Sequence, residues 1–291
     1  MEKIKLNVGT SPIWRKDGWL ALDHKPSRVK QRTILGDANN IPLEPKECSI
    51  LFCSHVIEHI PQYKFEDVLV EFNRVLEKNG IIRILTPDLY KIAKAYVEKD
   101  QDFLKKTLIE NENVRTDLGY GGTFMNFLIS PGQDTVLFNR QISEFIAGYG
   151  HVYLYDFEML SILLERYGFS YILKKEFCDS EYDEYKEPLH IEGMESVWVD
   201  MNKELFDKHD FVHKYNEKTG QYETNFTVTG FDRAPVTSLI VEAKKERDVV
   251  ETDIKDVRNF NYSKSLLNDK KFQLKCEKIK SISQLIDSDD K

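Results

Sequence analysis

Between Lys5 and Asp23 the chain reads KLNVGTSPIWRKDGWLALD, and at Gly36–Asp37 it runs on as GDANNIPL. One short apolar run is stopped by a glycine, a second by an acid, and a third by a glycine–acid pair. Gly9 permits a tight turn straight after a strand and lets backbone N–H groups face a ligand. Acids at successive strand ends collect along the carboxyl edge of a parallel sheet, where nucleotide-like cofactors are held. There Asp23 is placed to accept both hydroxyls of a ribose, and Asp37 to accept from an exocyclic adenine amine. Each residue alone is also an ordinary turn residue, Asp37 beside Gly36 in particular. Their order on successive strands is what constrains the fold.

The rest of the chain extends this pattern. Ile4–Val8, Trp19–Leu22 and Thr33–Leu35 read as strands. Ser49–Cys53 (SILFC) is continuously apolar, as in a central parallel strand buried on both faces. Phe65, Val68, Leu69, Phe72, Val75 and Leu76 fall on one helical stripe that Asn79–Gly80 ends. Ile81–Leu85 reads as the next strand, closed by Pro87, and Asp88 caps a helix through Val97. Strands alternating with helices predict a doubly wound α/β sheet. From 99 to 150, Gly119, Gly121, Gly122, Pro131 and Gly132 interrupt apolar patches such as FMNFLI, which reads as an insertion or lid over the sheet's carboxyl edge. Regularity returns at Asp156, an N-cap for a helix to Tyr167 that Gly168 stops. Tyr171–Phe177 reads as a strand, 178–235 as loop-rich, and Thr237–Ala243 as the last strand. Residues 1–98 and 151–245 are then two halves of one domain around the 99–150 insertion. Beyond Lys244 there is neither glycine nor proline, and charge is dense. Residues 246–291 read as a helical or disordered tail, with a partner-binding or self-associating helix over Ser263–Ile286 as one option.

A chain of 291 residues suffices for a full core. Its formal charge of −8 argues against a broad basic surface for nucleic acid or anionic membrane. Cys48, Cys53, Cys178 and Cys276 form no CxxC pair and read as small hydrophobes in a reducing compartment. No apolar run approaches a membrane span, and the expected location is cytoplasmic.

On these residues the chain resembles a class I S-adenosylmethionine-dependent methyltransferase, of the small-domain type found in bacterial polysaccharide gene clusters. The resemblance is carried by LNVGTSPIWRKDGWLALD, by GDANNIPL, by SHVIEHI at 54–60, and by RVLEKNG with IRILTPDL. It implies a Rossmann-like, mostly parallel sheet of seven strands with helices on both faces, a lid and a tail. It implies S-adenosyl-L-methionine as cofactor, contacted by Asn7, Gly9, Thr10, Asp23, Gly36, Asp37, Ala38, Ser54 and His55. One departure stands out: Ser11 replaces the second glycine of the family's GxG, and its side chain crowds the methionine end of the cofactor.

The segment His55-Val-Ile-Glu58-His59 matches the inverted zinc-protease pattern HxxEH. It directly follows the apolar strand and precedes Pro61, however, which suits a strand-to-helix loop rather than a long helix. Some methyltransferases that act on ribose or catechol-like hydroxyls carry ExxEH here and bind a divalent cation with a more distant histidine. Here His55 stands in place of the first acid while Glu58 and His59 match, so by that likeness Glu58, His59 and His151 are candidate ligands; equally, the pair only orders the loop. His151, in GYGHVYLYD, is the candidate general base, with His59 beside it on the acceptor side and His55, the third catalytic candidate, close to the methyl end of the cofactor. Anchoring the lid is the alternative role for His151. His190, His209 and His213 read as surface residues, and Tyr149, Tyr153, Tyr155 and Phe157 as core rather than a sugar-stacking platform. The expected function is methyl transfer to an oxygen or nitrogen of a small or glycan-linked acceptor. The alternatives are a metal-assisted hydroxyl methyltransferase and a catalytically inactive binding protein on the same fold.

Overall fold

Apolar runs bounded by glycine, proline or acid form strands β1 (Ile4–Val8), β2 (Trp19–Asp23), β3 (Thr33–Leu35) and β4 (Cys48–Ser54) in the computed structural model. It describes residues 3–10, 14–100, 103, 119–129, 151–186, 189, 212–216, 221–224, 235 and 237–250. Helix α1 (Gln62–Val75) follows, then β5 (Leu76–Pro87), α2 (Leu89–Glu98), α3 (Gly119–Leu128), α4 (Phe157–Arg166) and β6 (Phe169–Lys175). A hairpin, β7 (Val212–Asn216) and β8 (Gln221–Thr224), precedes β9 (Ser238–Lys245). By contacts the chain divides into two compact units, Met1–Asp248 and Val249–Lys291. The elements above belong to the first.

Seven strands form one sheet in the order β3-β2-β1-β4-β5-β9-β6. β1 to β5 pair in parallel, and β9 runs antiparallel to both β5 and β6. This is the mostly parallel, Rossmann-like architecture expected. β4 is buried along almost its whole length, as a doubly covered central strand must be. One buried cluster joins Trp14, Trp19, Phe52, Leu85, Tyr185 and Ile240. In α1, Phe65, Val68, Leu69, Phe72 and Val75 are all buried, which is the stripe read from the sequence.

Two helix starts follow the expected chemistry. The Asp88 carboxylate accepts from the Tyr90 and Lys91 N–H groups, and that of Asp156 from the Met159 N–H. Gly168 stops α4 with φ +83°, and a Cβ there stands 2.5 Å from the Arg247 carbonyl oxygen.

Several elements differ from expectation. Helix α1 ends at Val75, not at Asn79–Gly80, because Leu76 is already extended and pairs with Cys48. Asn79, at φ 68°, lies instead in an irregular stretch where the register against β4 shifts. The strand expected at Tyr171–Phe177 spans Phe169–Lys175, since Phe169 pairs with Lys245 directly after Gly168. Gly121 and Gly122 do not interrupt the 99–150 segment; they lie within α3, which packs Phe127 against Ile92 and Ala95 of α2 and against Leu154. The hairpin lies in a region read as loop. Cys48, Cys53 and Cys178 are buried, while Cys276 lies outside the described residues. Among the described residues no helix is long and apolar enough to cross a membrane.

Candidate active site

The parallel strands end at one edge, and the register fixes what collects there. Val8 pairs with Leu22 and with Cys53, and Asp23 with Leu35. Gly9, Asp23, Gly36–Asp37 and Ser54–His55 therefore stand in a row in the order β3-β2-β1-β4. Gly9 adopts φ +75°, and an added Cβ lies only 2.2 Å from Val56 Cγ2. The loop after β4 thus presses directly onto the turn after β1, an approach open to glycine alone. The Gly9 N–H donates to the Leu22 carbonyl at 2.9 Å and the Thr10 N–H to the same oxygen at 3.5 Å. These N–H groups, expected to face a ligand, instead extend the β1–β2 pairing.

Asp23 is half-buried, and Oδ1 accepts from the Lys25 N–H at 2.9 Å. Burial raises its carboxyl pKa, with the Lys25 N–H opposing. Asp37 is exposed; its Oδ1 lies 3.2 Å from His24 Nδ1 and its carbonyl accepts from the Asn40 N–H. A Cβ on Gly36 meets Pro42 Cδ at 2.9 Å, so this turn is close-packed. Ala38 is partly exposed beside it. Asn7 is fully buried, and neither atom of its amide finds a hydrogen-bond partner among the described residues; the same holds for Ser54 Oγ. Orphaned polar groups at the carboxyl edge fit a polar ligand that completes them. Ser11 lies outside the described residues.

Beyond β4 the chain gathers its histidines. His55 sits at φ 51° with its N–H on the Leu85 carbonyl, which turns the side chain out of the strand direction. Its Nε2 lies 2.8 Å from Ser238 Oγ on β9, and its Nδ1 3.1 Å from Glu58 Oε1. Glu58 is fully buried within the single 3-10 turn Ile57–His59, where Oε2 accepts from the Thr86 hydroxyl at 3.2 Å. Burial acts to raise the Glu58 carboxyl pKa. The imidazole of His55, then those of His59 and His151, outweigh it and hold the pKa down to about 2.

The segment 92 residues further on closes against this turn. The Val152 and Tyr153 N–H groups donate to the Glu58 carbonyl at 2.8 and 3.3 Å. His151 stands over His59 with ring centroids 5.2 Å apart, and its Nδ1 lies 2.8 Å from the Phe127 carbonyl oxygen. A carbonyl only accepts, so Nδ1 carries the proton and Nε2 of the neutral ring keeps its lone pair. The ligand atoms of Glu58, His59 and His151 all fall within 4.8 Å of one another. The three residues singled out from the sequence as possible ligands therefore meet in space.

Tyr155 is buried against Phe65, whereas Tyr153 is exposed beside it. Tyr149, His190 and His209 lie outside the described residues, and His213 is on β7. Thr86 and Ser238 escaped the sequence reading. Each is a small polar residue at the end of an apolar strand; the pairing of β4 with β5 brings Thr86 to Glu58, and that of β5 with β9 brings Ser238 to His55. A groove along β6, lined by Glu165, Tyr171, Glu246 and Arg247 among others, contains none of these groups.

Residues 17–84 match the protein family described as a methyltransferase domain. Among solved structures, an S-adenosylmethionine-dependent methyltransferase from Archaeoglobus fulgidus is 14% identical, with 84% of this chain and 86% of that chain covered and a TM-score of 0.39. The putative methyltransferase in complex with the Trm112 activator from Haloferax volcanii is 8% identical, with 86% and 84% covered and a TM-score of 0.41. Phosphoethanolamine N-methyltransferase 2 of Haemonchus contortus is 10% identical, with 85% of this chain and 50% of that chain covered and a TM-score of 0.35. No curated protein matches the chain.

Proposed function

We propose that the chain is a class I S-adenosylmethionine-dependent methyltransferase that methylates an oxygen or nitrogen of a small or glycan-linked acceptor in the cytoplasm. The observation that carries this reading is the row of Gly9, Asp23, Asp37 and His55 along one sheet edge, with the unsatisfied Asn7 amide and Ser54 hydroxyl behind it. The cofactor supplies a methyl group on a sulfonium, which is transferred by in-line displacement. Asp23, already desolvated, accepts the two ribose hydroxyls, and Asp37 accepts from the adenine amine. Thr10, Gly36 and Ala38 line the same edge, and His55 lies toward the methyl end.

On the acceptor side stand His59 and His151. With its Nδ1–H committed to Phe127, His151 offers Nε2 as the base that takes the acceptor's proton. Positioning and exclusion of water contribute the rest.

Calorimetry of the full chain with S-adenosyl-L-homocysteine is the direct test. Saturable binding is expected, and Asp23→Ala should weaken it by about ten-fold or more, the loss of two hydrogen bonds to a charged acceptor. Absence of binding to the wild type refutes the reading, and unchanged affinity in the variant refutes the assignment of Asp23.

A further inference from the structure

We propose that Glu58, His59 and His151 form a binding site for a divalent transition-metal ion. The three residues come from two segments far apart in sequence, yet their ligand atoms lie within 4.8 Å of one another. Ligands on one ion at about 2.1 Å stand roughly 3–4 Å apart, so small side-chain rotations close the set around it.

Three further features point the same way. Glu58 is a fully buried carboxylate, and a buried anion needs a cation. His151 donates Nδ1–H to the Phe127 carbonyl, the outer contact that orients a metal-ligating imidazole and leaves Nε2 free to coordinate. The Glu58 carbonyl is stapled to the Val152 and Tyr153 N–H groups, so the two segments are held together before any ion arrives. Thr86 and His55 in turn brace the Glu58 carboxylate.

The donor set selects the ion. Two imidazoles and one carboxylate suit zinc, cobalt, iron(II) or manganese, whereas calcium and magnesium favour all-oxygen shells. Three protein ligands leave at least one position open. Joined to the methyltransferase reading, on which this part rests, the open position receives an acceptor hydroxyl and narrows the acceptor from oxygen or nitrogen to oxygen. The metal lowers the hydroxyl's pKa and its proton leaves to solvent. The oxygen lone pair then forms the bond to the methyl carbon while the carbon–sulfur bond breaks, its electron pair staying on sulfur. Nothing is oxidised or reduced. His151, as a ligand, is then not the base.

The test uses full-length protein stripped with chelator and titrated with cobalt(II), read by visible ligand-field absorption. One equivalent should saturate, and His59→Ala and His151→Gln should each weaken binding by about ten-fold or more. Paramagnetic proton NMR of the wild-type cobalt form should display two shifted imidazole N–H signals that vanish in deuterated water, a readout that needs no variant to fold. No saturable binding, unchanged binding in both variants, or no shifted imidazole signals overturns the site. Cobalt binding in a protein that fails to bind S-adenosyl-L-homocysteine keeps the metal site and overturns the methyltransferase reading instead.

Discussion

At the scale of single residues, Gly9 couples the two loops that build the candidate site. Its left-handed backbone and the 2.2 Å gap to Val56 both exclude a side chain. Gly9→Ala should therefore cost about 2–4 kcal/mol in urea denaturation, combining backbone strain with overpacking. Adding Val56→Ala should restore the overpacking part but not the strain part. A Gly9→Ala variant as stable as wild type contradicts this account. The sequence marks Gly9 as a turn after a strand, and the acids on the following strands lift it above an ordinary turn glycine. It does not reveal the reason found here, since the residue that presses on it comes from a loop 47 positions away. His55, Glu58, His59 and His151 were legible as chemistry-bearing types. Their meeting was legible only in part, because the backbone staple between Glu58 and Val152 carries no sequence mark.

At the scale of elements, the pairing of β5 with β9 sets Arg83 directly opposite Glu242, and both are buried. The two side chains are hydrogen-bonded in the interior, and the Arg83 guanidinium also donates to the Glu176 and Asp179 carbonyls beneath the Tyr185 ring. Removing one partner strands a buried charge. Arg83→Met should cost about 3–5 kcal/mol, whereas Arg83→Met with Glu242→Leu should recover much of that loss, as a double-mutant cycle in urea would measure. Additive single effects would argue against the pair. A charge within each of two apolar runs, IRIL and IVEA, is visible in the sequence, but not that the two face each other. Boundaries set by local chemistry were legible: Asp88 and Asp156 cap, and Gly168 stops. The end of α1 was not, because strand pairing of Leu76 with Cys48 overrides the local signal at Asn79–Gly80.

At the scale of the whole molecule, the buried thiols report on the integrity of the core. Burial pushes the Cys48 thiol up to about 12, with Glu47 adding and Arg74 and Lys3 opposing, and burial drives Cys53 well above its ordinary value. Iodoacetamide at pH 8 should leave both unmodified in the native protein and modify both in urea, as peptide mass spectrometry would record. Modification of Cys48 without denaturant contradicts the fold near β4. The raised pKa also sets a pH window. The unfolded thiol ionises near 9.0 while the folded one does not, so this contribution to stability is intact below pH 9 and is lost as pH climbs toward about 12. The strand–helix alternation up to residue 98 was legible because each unit is local. The sheet's other half depends on contacts across more than 60 residues, and sequence proximity says nothing of those.

The place of β9 in the sheet has a consequence for how the protein is made. Among the described residues β6 pairs with β9 alone, and β9 comes more than 60 residues later. During synthesis β1 to β5 can assemble as soon as they emerge, while β6 waits without a pairing edge. The strand that finally slots in between β5 and β6 also brings Ser238 to His55. The sheet edge carrying Asp23 and Asp37 is thus complete early, and the imidazole beside it gains its hydroxyl partner only once a strand 183 residues behind it has emerged.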